Sequence, residues 1–94
     1  MPKLAISQPH RVGAEEARRR IDGLARELGD KYGLTSRWTS DTVAEVTGSG
    51  ATGQITVEPE QVDVTLDLPF VLSPMKGRIE SRIRDELQKL FGQV

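Results

Sequence analysis

The stretch from Val62 to Phe91 changes its hydrophobic period part-way along, from two residues to 3.6. Val62-Asp63-Val64-Thr65-Leu66-Asp67-Leu68 alternates apolar and polar side chains, the repeat of a half-buried strand. Beyond the apolar run Pro69-Phe70-Val71-Leu72, apolar residues return every three or four positions, at Met75, Ile79, Ile83, Leu87, Leu90 and Phe91. That is the repeat of an amphipathic helix. Ser73 as N-cap and Pro74 at the first helical position mark its start, and Gly92 marks its stop. A helix of about 18 residues rises about 27 Å, enough to cross a small sheet. Strand and helix each present one apolar side, so the unit predicts a sheet with this helix laid over its inner face.

The chain before this unit obeys the same two periods. Lys3 to Ser7 sets Leu4 and Ile6 on one face and reads as a short strand at a sheet edge. Gln8-Pro9-His10-Arg11 reads as a loop, because Pro9 has no N–H to give to a ladder. A helix follows over Ala14 to Asp30, with Ala14, Ala17, Ile21, Leu24, Ala25 and Leu28 on one side. Gly13 serves as its N-cap, and Gly29 or Gly33 closes it. Glu15–Arg19, Glu16–Arg20 and Asp22–Arg26 are spaced to pair along its outer side. Gly23 in its middle would let the helix approach the sheet closely.

Three further strands fit before Val62: Leu34 to Thr39, Thr42 to Thr47 and Gln54 to Glu58. Ser40-Asp41, the glycine cluster from Gly48 to Gly53, and Pro59-Glu60 supply the turns between them. Turns this short join antiparallel neighbours. Val62, Val64, Leu66 and Leu68 fall with Ile55 and Val57 on one face, and Ala44 and Val46 are assigned to the same side. Asp63, Thr65 and Asp67 fall with Gln54, Thr56 and Glu58 on the other. The expectation is a single α+β domain over residues 1–94 in the order βαββββα. Its antiparallel sheet is wet on one face and covered by two helices on the other.

Composition removes several classes of function. Thirteen Lys and Arg against 14 Asp and Glu give a formal charge of −1, so there is no basic field to gather nucleic acid. The absence of cysteine excludes disulfides, thiol nucleophiles and Cys-ligated zinc. No apolar run approaches the roughly 20 residues of a transmembrane helix, and Met1 to Ser7 lacks the apolar core of a signal peptide. A cytoplasmic protein is the expectation.

The chemistry-bearing residues are sparse. No helix and no Gly-Lys-Ser/Thr follows the glycines at 48, 50 and 53, so they are not a phosphate loop. Asp63 and Asp67 share a strand face but stand about 13 Å apart, too far for one ion. No catalytic, cofactor-binding or metal-ligating set emerges, and the expectation is a non-enzymatic protein without a cofactor. What remains are candidate contact residues. His10, the single histidine, is a candidate base or ligand, though its place in a loop favours a solvent or helix-start residue. Arg18-Arg19-Arg20 fan about 100° apart on a helix and make no common patch. Arg78 and Arg82, with Lys89, form a better stripe on the last helix, broken by Asp85. Trp38 reads as a half-buried sheet residue or a contact surface. Phe70 and Val71 either seat the last helix on the sheet or, if exposed, touch an apolar surface.

In order and spacing, a set of short segments resembles a known family. They are Pro9-His10, Glu15-Glu16-Ala17-Arg18, Tyr32-Gly33-Leu34-Thr35 with Trp38, Asp41-Thr42, Gly50 and Gly53-Gln54-Ile55. The set closes with Leu72-Ser73-Pro74-Met75-Lys76-Gly77 and Ile79-Glu80. From Ile6 to Phe91 the chain is similar to the small bacterial polyhydroxyalkanoic acid system proteins. It departs from their pattern at Pro69-Phe70-Val71, where a glycine-rich run is expected, and at Ala44 and Val46, where an aromatic is expected. The resemblance implies an association with polyhydroxyalkanoate, the bacterial storage polyester, and carries no catalytic residue. The leading expectation is a noncatalytic, granule-associated accessory that binds a granule protein or the polyester surface, through Phe70 and Val71 or through the last helix. One alternative is a START-like carrier of a small hydrophobic ligand, for which this length leaves little room for a cavity of about 300 Å³. Another is an assembly module, a homodimer or larger homo-oligomer joined through the open edge at Lys3 to Ser7.

Overall fold

The computed structural model describes residues 3–48 and 50–92. Met1 and Pro2 of the segment read for signal character, Ser49 of the glycine cluster, and Gln93 and Val94 lie outside the described residues. Strand β1 (Lys3–Pro9) leads into helix α1 (Ala14–Tyr32). Four strands follow: β2 (Thr35–Trp38), β3 (Val43–Gly48), β4 (Ala51–Val57) and β5 (Gln61–Asp67). A 3₁₀ turn (Phe70–Met75) then opens into α2 (Lys76–Phe91). The α+β class and the βαββββα order are as the periodicity predicts.

All five strands form one antiparallel sheet in the order β1-β5-β4-β3-β2. Short turns make β2 to β5 consecutive neighbours, and β1 adds beside β5. The first two strands in sequence therefore lie at opposite edges, about 19 Å apart across four strand spacings. Helix α1, whose 19 residues rise about 28 Å, spans that distance.

Residues opposite one another in an antiparallel ladder share a face. The row Ile6–Val64–Ile55–Ala44–Trp38 therefore runs along the inner side of the whole sheet. The row Ala5–Thr65–Gln54–Glu45–Arg37 runs along the outer side and is exposed throughout. Both helices cover the inner face. Ala17, Ile21, Leu24 and Leu28 of α1, with Ile83, Leu87 and Phe91 of α2, join the strand residues in one core.

Local details correct the sequence reading. Pro9 closes β1 opposite Gln61 instead of starting a loop, a position tolerated at the end of an edge strand. Gly33, in the left-handed conformation at φ 68°, ends α1 and donates its N–H to the Gly29 carbonyl. Gly23 faces solvent with nothing within 4 Å of where a Cβ would stand, so it brings no helix toward the sheet. The close approach belongs to Gly53, where a Cβ would stand 2.6 Å from the Thr65 carbonyl oxygen. Strand β4 begins at Ala51, within the glycine cluster. Arg19 pairs with Glu16 and not with Glu15.

Ser73 and Pro74 do not cap an α-helix. They sit inside the 3₁₀ turn, which starts after extended Pro69 and closes with Leu72 N–H donating to the Pro69 carbonyl at 2.9 Å. The α-helix proper begins at Lys76, so its 16 residues rise about 24 Å.

Candidate functional site

Leu68 is buried and fixes the point where the chain leaves the sheet. The 3₁₀ turn that follows repeats every three residues, so Leu72 and Met75 share a side. Leu72 packs against the core. Phe70 and Val71, on the other sides of the turn, are 82% and 78% exposed, and Met75, one turn beyond Leu72, is 42% exposed. Met75 is therefore no buried member of the helix stripe. The two consecutive apolar side chains do not seat α2 on the sheet; they stand out in solvent at its start.

Behind this turn the core is incomplete. A crevice of about 190 Å³ lies between the end of α1, the 3₁₀ turn, the first half of α2 and the inner face of the sheet. Its floor includes Val46, Ala51, Ile55 and Val64, all buried. Leu28 lines it from α1, and Ile79 and Ile83 from α2. Gly48 and Ala51, paired at the end of the β3–β4 ladder, also line it. This void is smaller than the roughly 300 Å³ typical of drug-sized ligand pockets, but it is a void.

Charge gathers on one side of it. The Arg82 guanidinium lies 3.8 Å from Glu27 of α1 and 3.4 Å from Glu86. Lys31 holds Glu27 at 2.9 Å, and Lys89 stands 3.7 Å from Glu86. The hydrogen bond from Lys31, aided by the charge of Arg82, keeps the Glu27 carboxyl below its ordinary range. Arg78, one turn before Arg82, is exposed.

His10 and Trp38 are not part of this region. His10 is 3% exposed, not a solvent residue. Its Nε2 lies 2.9 Å from the Glu58 carbonyl, its Nδ1 accepts the Val12 N–H at 3.3 Å, and its ring stacks on Phe91 at 5.2 Å. Phe91 is the last residue of α2, so His10 lies at the opposite end of that helix from Phe70. Trp38 is half-buried on β2. Its Nε1 donates to Asp22 Oδ1 at 3.2 Å, and the Arg18 guanidinium covers its ring at 4.4 Å. Of the three consecutive arginines of α1, Arg18 covers Trp38, while Arg19 and Arg20 both reach Glu16 and Arg20 also donates to the Leu90 carbonyl. Among the described residues no three His, Asp or Glu side chains converge as a metal site, and no helix is long and apolar enough to cross a membrane.

A model of the family described as "Putative polyhydroxyalkanoic acid system protein" matches residues 4–91. The chain belongs to this family. Among solved structures it is similar to the NMR structure of PA4090 from Pseudomonas aeruginosa, with a TM-score of 0.65 and 15% identity. That match covers 100% of this chain and 88% of the other, and at this identity it shows the fold alone. No curated protein matches the chain. As a polyhydroxyalkanoic acid system protein, the chain presents Phe70 and Val71 where a glycine-rich run was expected. The crevice was not foreseen from its sequence.

Proposed function

We propose that this chain is a noncatalytic accessory of the polyhydroxyalkanoic acid system that docks on the polyester surface of storage granules in the cytoplasm. The 3₁₀ turn before α2 is its contact. The observation that carries the reading is the exposure of consecutive Phe70 and Val71, 82% and 78%. Burying two such side chains contributes about 3–5 kcal/mol, enough for reversible attachment on the order of millimolar. The outer sheet face, with Thr65, Gln54, Glu45 and Arg37 exposed, opposes adsorption of the whole molecule, so the contact is local. Two or three apolar side chains fall short of the roughly 800 Å² per partner of a stable protein interface, which favours a continuous apolar surface over a protein partner.

The test is co-sedimentation with polyester granules washed free of protein. The wild-type chain should pellet with them, and Phe70→Ser/Val71→Ser should bind at least about a hundredfold more weakly. A wild-type chain that stays in the supernatant contradicts the proposal, as does a double variant that pellets equally. Binding seen solely with granules that keep their proteins would assign the turn to a granule protein. A dimer in light scattering that the double variant dissolves would assign it to a second copy of the chain.

A further inference from the structure

From its size and charge we infer that the crevice between α1 and α2 is a binding site for a short aliphatic monocarboxylate of about six to eight carbons, with Arg82 at the carboxylate. The inference goes beyond granule docking and does not rest on it. Size sets the chain length. An apolar cavity of about 150 Å³ holds benzene, with its six carbons, and this crevice measures about 190 Å³. Its wall sets the body of the ligand: Val46, Ala51, Ile55 and Val64 at the floor and Leu72 and Ile79 nearer solvent offer hydrocarbon alone.

Arg82 sets the head group. It is the one charged residue lining the crevice among the described residues. It is half-exposed, as are Leu34, Leu72 and Ile79, and with Met75 these residues mark the mouth. Its distances of 3.8 and 3.4 Å to Glu27 and Glu86 exceed the roughly 2.7–2.9 Å of a charge-assisted hydrogen bond. The guanidinium therefore holds neither carboxylate at close range, and it carries five N–H donors. The surrounding cluster counts three cations, Lys31, Arg82 and Lys89, against two carboxylates, Glu27 and Glu86. The excess of one positive charge matches one carboxylate at the mouth, with the alkyl chain running inward over Ala51.

Octanoate and octanol titrated into the methyl-labelled intact chain test this by NMR. Octanoate should shift the methyls of Leu28, Val46 and Ile79 saturably, and hexadecanoate should bind no tighter. Arg82→Gln should weaken octanoate about tenfold and leave octanol unchanged. Ala51→Leu fills the floor and should weaken both; Ile79→Trp at the mouth serves in its place if that variant does not fold. Phe70→Ser should keep full octanoate affinity while losing granule binding, so the two readings fail separately. The inference is overturned if octanoate leaves the crevice methyls unmoved, if Arg82→Gln leaves its affinity unchanged, or if hexadecanoate binds more tightly.

Discussion

At the scale of single residues, His10 shows how a side chain that looks chemical becomes structural. The Nδ1 that accepts the Val12 N–H and the Nε2 that reaches the Glu58 carbonyl leave neither ring nitrogen free. The ring also closes the core over Phe91. His10→Ala should cost about 2–3 kcal/mol in urea denaturation, from two lost hydrogen bonds and a lost stack. His10→Phe should recover the stack alone and fall between the two. None of this was legible locally, since Glu58 is 48 residues away in sequence. The glycines teach the same lesson. Gly23→Ala should stabilise by about 0.5–1 kcal/mol, because a solvent-facing helix interior gains from alanine. Gly53→Ala should destabilise by about 1–3 kcal/mol, because its Cβ meets the rigid Thr65 carbonyl. Thermal melts of the pair check both signs. In the sequence the two glycines look alike; what separates them is that Gly53 faces a neighbouring strand and Gly23 faces solvent.

At the scale of elements, periodicity carried most of the information. The apolar stripe of α1 was legible because a 3.6-residue repeat sustained over Ala17 to Leu28 admits one burial face. The start of α2 was not, because Ser-Pro is compatible with either an N-cap or a 3₁₀ turn. The difference lies in the turn beginning at Phe70, well before the serine. The first turn of α1 also carries a pH dependence. Hydrogen bonds from Arg19 and then Arg20 hold the Glu16 carboxyl at about 2, below its ordinary 4.5. A carboxyl lowered on folding stabilises fully above its unfolded value, and the contribution fades as pH falls from about 4.5 toward about 2. Glu16→Gln should therefore lower the melting temperature near neutral pH, and the gap from wild type should close across that window. A gap independent of pH would mean that the pairs with Arg19 and Arg20 contribute nothing.

At the scale of the whole molecule, the sheet and its two covering helices follow from short turns and one consistent apolar face. The meander from β2 to β5 was readable because each connection is too short for a crossover. The pairing of β1 with β5 was not, since no local signal separates one edge from the other. The candidate site shows the same division. Phe70 and Val71 were visible as an apolar run, but their exposure depends on Leu68 and Leu72 taking the inward positions on either side. The crevice behind them is lined from α1, the 3₁₀ turn, α2 and the sheet at once, a juxtaposition of distant elements that leaves no pattern in the chain. Among the described residues the large apolar side chains left exposed are Phe70, Val71 and Met75, at the start of α2, and the proposed granule contact is built on that turn. Amide hydrogen exchange of the chain bound to protein-free polyester granules tests that most directly. Protection should appear at Phe70 to Ile79 and leave the outer-face strand segments around Glu45, Gln54 and Thr65 unchanged. Protection centred on the outer face, or none at the turn, would contradict it.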